Sequence, residues 1–138
     1  MLLRQVTNDD FLKSASFIEA IPEDASAQPA MRALASIFLA DISKFDPLQF
    51  VPLCRTTQER LRLACVRGYA VGFIAHGEPG VEYVKALEFC RLPILRDDER
   101  KVCYHQVLSM SQQIYPRAKA EEVCASVEPR YRRFCDTT

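Results

Sequence analysis

From Leu61 onward bulky apolar residues return at every fourth position, at Leu61, Cys65, Tyr69 and Phe73, and a stripe of small residues, Ala64, Gly68 and Gly72, runs beside them. That spacing is helical and gives the helix one core-facing side. Thr56 and Glu59 stand at capping-box spacing, which predicts that the helix starts there. A glycine inside a helix costs roughly 1 kcal/mol against alanine, so Gly68 and Gly72 imply a neighbouring helix crossing at short distance. Gly77 is expected to end the helix in the left-handed conformation and Pro79 to open the next, reversing the chain near Glu78. On the returning arm Tyr83, Leu87, Cys90 and Ile94 share a face opposite Glu82, Lys85, Glu88 and Arg91, and Pro93 ends or kinks it.

The flanking segments carry the same period. Asp9 to Ala20 reads as a short helix with Phe11, Ala15 and Ile18 inward, and Ile21 to Gln28 as a loop. Pro29 is expected to open a helix reaching about Ser43, with Met31, Ala35, Phe38, Leu39 and Ile42 on one side. Between Lys44 and Leu53, Pro47 and Pro52 leave room for at most one short helical turn. Beyond the hairpin, Asp97-Asp98-Glu99 mark a helix start, followed by Cys103, Val107, Met110 and Ile114 on one face. Tyr115-Pro116 breaks that helix. A further arm, about Arg117 to Val127, turns Ala120, Val123, Cys124 and Val127 inward, and a last turn or two carries Tyr131, Phe134 and Cys135. No segment alternates like a strand. The expectation is an all-α chain of stacked antiparallel helical hairpins, a helical-repeat-like array in which each hairpin buries its neighbour's apolar face. At 138 residues it is read as a single domain, 1–138: a cysteine-free helical segment 1–53, a first cysteine hairpin 54–96 and a second 97–138.

Six cysteines change the picture. Cys54, Cys65, Cys90, Cys103, Cys124 and Cys135 form three consecutive pairs with ten, twelve and ten residues between partners. An even number at regular spacing favours a disulfide framework over free thiols. Sequential pairing, Cys54–Cys65, Cys90–Cys103 and Cys124–Cys135, staples each connection and strands no cysteine. The alternative joins Cys65 to Cys90 and Cys103 to Cys124 inside the hairpins, leaving Cys54 and Cys135 to meet across the fold. Either framework belongs where thiols oxidise: periplasm, cell exterior, secretory lumen or mitochondrial intermembrane space. Small imported proteins of the last have twin cysteine pairs with about nine intervening residues, a spacing not found here.

The run Cys65-Val-Arg-Gly68-Tyr-Ala-Val-Gly72-Phe, then Ala86-Leu87-Glu-Phe-Cys90 and Cys103-Tyr104, resembles bacterial exported proteins built from cysteine-bridged helical hairpins. The likeness extends over roughly Cys65 to Cys135. Members of that group often carry histidines beside the glycines, where this chain has Val66, Arg67 and Val71. What the resemblance implies is a compartment, periplasmic or secreted, and no activity. No secretory leader is legible in Met1-Leu2-Leu3-Arg4-Gln5 followed by Asn8-Asp9-Asp10, which fits a mature exported chain as well as a cytoplasmic one.

Eighteen basic and eighteen acidic residues leave no net charge, so a strongly charged partner is not implied. No apolar run is long enough to span a membrane. Cys103 and His105 are two apart and face different sides of a helix, which makes them a poor metal pair. His76 stands at an expected helix C-terminus, where a cation is favoured. Arg55, Arg60, Arg62 and Arg67 are expected on a solvated face, pairing with acids of the first 54 residues, and Arg130-Tyr131-Arg132-Arg133 supplies only one stacking ring for nucleic acid. No phosphate-cradling loop, nucleophile elbow or cofactor motif is present. The sequence thus favours a non-catalytic binding or assembly module with a protein partner, no nucleic acid, no metal and no cofactor. Two readings stand against it. One is an intracellular subunit or regulator with reduced cysteines that offers Ala64, Gly68 and Gly72 to a partner, and the other is an enzyme or metal carrier using Cys103 and His105.

Overall fold

In the computed structural model, which describes residues 8–39 and 45–135, the helix carrying the paired stripes is the hub of the chain. This helix, α4 (Glu59–Ala75), packs chiefly on α2 (Asp24–Phe38), α3 (Pro47–Thr56), α5 (Glu82–Cys90) and α6 (Asp97–Ile114). Before them lies α1 (Asn8–Glu19), packed on α2, and after them come α7 (Arg117–Ala125) and a 3₁₀ helix, Pro129–Cys135, both against α6. No strand occurs among the described residues. The fold is all-α, with helical hairpins stacked side by side.

Of the contacts made by α4, the one with α2 is the most extensive. The two glycines explain it. A methyl group on Gly68 would lie 2.4 Å from the Arg32 carbonyl oxygen and 2.5 Å from Ala35 Cβ, and one on Gly72 would lie 2.7 Å from Leu39 Cβ. Backbone therefore sits where a side chain would normally stand, and Met31, Ala35 and Leu39 are fully buried along the seam. On the opposite side Leu61, Cys65, Tyr69 and Phe73 are buried as their period requires. Tyr69 and Phe73 join Phe89, Phe45, Phe50, Phe38 and Phe11 in a run of mostly edge-to-face rings, with Phe38 and Phe50 at 4.8 Å between centroids. The Tyr69 hydroxyl ends inside it and donates to the Phe50 carbonyl at 2.9 Å.

Several expected boundaries move, each for a local reason. The helix α2 starts at Asp24, so most of the expected loop is helical and Pro29 lies in its second turn. One missing donor is tolerated there because Ala27, Met31 and Ala35 are buried. Ile42 and Ser43 lie outside the described residues. Pro47 and Pro52 do not limit the chain to a single turn: Pro47 is the first residue of α3, Asp46 accepts from the Leu48 N–H at 3.0 Å, and Pro52 is accommodated while Val51, Leu53 and Cys54 are buried. Thr56 closes α3 instead of opening α4, its hydroxyl donating to the Leu53 carbonyl, and Gln58 precedes α4 without a side-chain cap. The reversal after α4 uses Gly80, at φ +87°, and not Gly77. Gly77 serves close approach, since a methyl there would meet the Phe73 carbonyl oxygen at 2.6 Å and Glu82 Cα at 3.0 Å. Pro79 stays in the turn, and α5 starts at Glu82. Ile114, expected inward, is 46% exposed at the end of α6.

The cysteines are joined as Cys54–Cys65, Cys90–Cys103 and Cys124–Cys135, with Cα separations of 5.4, 5.5 and 6.2 Å. Each bond ties one helix to the next across a short connection: α3 to α4, α5 to α6, and α7 to the 3₁₀ helix.

The variant Gly68→Ala is expected to lose roughly 1–3 kcal/mol of stability in urea unfolding, although alanine is the better helix former, because α2 must be displaced to admit the methyl group. Equal or greater stability would show that the seam is looser than these distances imply.

Candidate functional site

The arginines of the α3–α4 region are where expectation and structure part most clearly. Arg55 and Arg62 do not reach the first 54 residues. They converge instead on the start of α6, around Glu99, a carboxylate with no solvent exposure. Arg55 donates from Nε and Nη2 to the two Glu99 oxygens at 3.2 and 2.7 Å, and Arg62 donates from Nη1 to Oε2 at 3.0 Å. The Arg96 backbone N–H, free at the helix start, gives a fourth bond at 2.9 Å. Arg62, itself 6% exposed, also bridges Asp98 and Glu59. Burial drives the Glu99 carboxyl upward, but the Arg55, Arg96 and Arg62 donors outweigh it and hold the carboxyl below its ordinary range. Hydrogen bonds from Arg62 likewise hold Asp98 and Glu59 low.

Arg60 does turn to the N-terminal segment as expected, pairing with Asp24 at 2.7 Å and donating to the carbonyls of Glu19 and Ile21. Arg67 differs from these three. It is half-buried, and among the described residues no carboxylate lies within ion-pair distance of it. Its Nη1 reaches His105 Nδ1 at 3.1 Å and Gln106 Oε1 at 3.5 Å. A guanidinium only donates, so Nδ1 accepts and the neutral His105 ring keeps its proton on Nε2. Burial, and then the Arg67 charge, lower the His105 pKa, while burial and Arg32 lower that of Arg67.

These groups border a groove of about 710 Å³ between α2, α4 and α6. Arg32 comes from α2, Arg67 from α4 and His105 from α6, with apolar surface from Pro29, Leu63 and Val102 between them. Ala64 lines it as well, whereas Gly68 and Gly72 are covered by α2. The small-residue stripe thus splits into one groove residue and two that set the helix spacing. Phe134, its ring 5.0 Å from that of His105, lines a smaller adjoining cavity of about 290 Å³ that is also bordered by Leu63, Arg67, Asp98 and Lys101. Chemically the groove offers hydrogen-bond donors and uncompensated positive charge beside an apolar floor.

Other sequence candidates lie elsewhere. Cys103 is buried and bonded to Cys90, and among the described residues no three His, Cys, Asp or Glu side chains gather as a metal site requires. His76 is exposed at the end of α4. In the C-terminal run, Arg130 and Arg133 lie over the rings of Tyr131 and Phe134, and Arg132 donates to the carbonyls of Val127 and Ala125, so these groups are engaged within the chain. Among the described residues no helix is long and apolar enough to cross a membrane. No protein-family model, no curated protein and no solved structure matches this chain.

Two outcomes follow from the charges. Glu99→Gln should cost roughly 3 kcal/mol in denaturant unfolding, because buried Arg62 and partly buried Arg55 lose their shared counter-charge. The carboxylates around Arg62 have native pKa values below their unfolded ones, so the stability they confer is complete above about pH 5 and is lost as pH falls through the depressed native values. The substituted chain should therefore lose part of its acid dependence. Separately, the His105 ring should titrate below 6.5 by proton NMR and move upward in Arg67→Gln. An unchanged midpoint in that variant would show that the Arg67 charge is not felt by the ring.

Proposed function

We propose that this chain is a non-catalytic binding or assembly module working in an oxidising compartment, periplasmic or extracellular, with another protein as its partner. The observation that carries the reading is the bonding of all six cysteines to their sequence neighbours. Such bonds persist where no glutathione or thioredoxin system reduces them. Bonded cysteines also leave no thiol to act as a nucleophile or metal ligand. The likeness of the Cys65 to Cys135 stretch to exported cysteine-bridged hairpin proteins supports the same compartment. What remains for function is the outer surface of a stapled stack, and the groove between α2, α4 and α6 supplies it with charged, hydrogen-bonding and apolar groups, as recognition requires.

The test is mass spectrometry of the freshly purified native protein after alkylation, with and without reductant. No alkylation is expected before reduction and six sites after it. Six reactive thiols in the untreated protein would remove the reading and move the protein to a reducing compartment. Reduction should also lower stability, by about 3 kcal/mol for each opened loop of this length.

A further inference from the structure

The groove between α2, α4 and α6 contains a charge that no carboxylate among the described residues answers. Arg55, Arg60 and Arg62 each meet a carboxylate, and Asp24 and Glu59, which border the groove, are committed to Arg60 and Arg62. Arg67 is half-buried with a neutral histidine and an amide as its partners, and its hydrogen bonds among the described residues leave from Nη1 alone. A desolvated cation without a counter-charge is unfavourable, and an anion drawn into the groove would relieve it. The Nε and Nη2 edge of a guanidinium has the spacing of the two oxygens of a carboxylate. Beside it, Leu63, Val102 and Pro29 give an apolar floor that would be wasted on a free inorganic ion and suits the methylene stem of an acidic side chain.

We propose that this groove binds an acidic segment of a partner protein, with one carboxylate held by Arg67, supported by Arg32, and its stem laid over Leu63 and Val102. The assignment rests on the binding-module reading and names the chemistry of the partner. His105 acts as a positioning residue: by accepting from Nη1 it orients the guanidinium and directs the remaining donors into the groove. Phe134, against the His105 ring, keeps that ring in place from the C-terminal side.

The two histidines make the test direct. His105 borders the groove, and His76, the residue following α4, lies nine residues beyond Arg67, roughly 13 Å along the axis at 1.5 Å per residue. The oxidised full chain is titrated with a blocked Leu-Glu-Leu-Glu peptide, its Leu-Gln-Leu-Gln counterpart and inorganic phosphate, reading the ring-proton shifts of both histidines. The acidic peptide is expected to shift His105 saturably and leave His76 in place, with the glutamine peptide and phosphate each binding at least tenfold more weakly. Arg67→Gln should weaken the acidic peptide roughly tenfold or more, as loss of a charge-assisted bond does, and Arg32→Gln, at an exposed position, should weaken it less.

A His105 resonance unmoved by the acidic peptide would overturn the proposal. So would equal shifts from the glutamine peptide, undiminished binding in both variants, or phosphate binding as tightly as the acidic peptide. If Arg67→Gln fails to fold, Arg32→Gln alone decides, and unchanged affinity there overturns it. Alkylation of the same sample separates the two levels: bonded cysteines with no peptide binding remove this inference alone, whereas free thiols remove the module reading beneath it.

Discussion

A carboxylate sealed from water at the start of α6 ties that helix to α3 and α4, to which no disulfide joins it. Glu99 takes three hydrogen bonds from Arg55 and Arg62 and a fourth from the backbone at Arg96, so α3, α4 and α6 meet at one point. Burying such a charge is unfavourable unless it is paired and its oxygens are filled, and here both conditions are met. The same arrangement sets the groove. Because Arg55, Arg60 and Arg62 have partners, Arg67 and Arg32 are the cations of the groove lining that meet no carboxylate among the described residues.

Arginine also takes over a task that glycine usually performs. The chain has four glycines, and the only left-handed backbone among the described residues is at Gly80. Carbonyls at helix ends and in the connections that follow them are met by guanidinium groups: Arg60 on Glu19 and Ile21, Arg100 on Cys90, Leu92 and Leu95, Arg132 on Ala125 and Val127, and Arg55 on Ile94. Each fork satisfies orphan acceptors and draws a connection down onto a neighbouring helix. A zero net charge therefore conceals three cations, Arg60, Arg100 and Arg132, placed on helix C-termini, where the dipole favours them.

Much of the architecture was legible in the residues, because it follows from period and spacing. The stripe Leu61, Cys65, Tyr69 and Phe73 is core, and Gly68 and Gly72 do mark a close crossing. Boundaries were less legible wherever proline and threonine carry two meanings. Pro29 and Pro52 sit within helices because buried neighbours outweigh one lost donor, and Thr56 closes a helix from a position that could equally open one. The site was the least visible. Glu99 is 44 residues from Arg55 and 37 from Arg62 in sequence, and no local pattern pairs them. A hint existed in Arg62, which falls next to Leu61 and Cys65 on the inner half of α4, too close to the core side to be solvated.

The three sulfur bridges are all short-range, and none spans the stretch from Val66 to Phe89. Cutting the backbone at the open turn around Gly80 would thus divide the molecule into two separate polypeptides, each retaining its own cross-links. Only side-chain packing and polar contacts such as the grip of Arg55 and Arg62 on Glu99 and Asp98, and of Arg67 on His105, would keep the pieces associated. The fold is in that sense a non-covalent heterodimer written as one chain, and its interface runs along the inner faces of α4, α5 and α6.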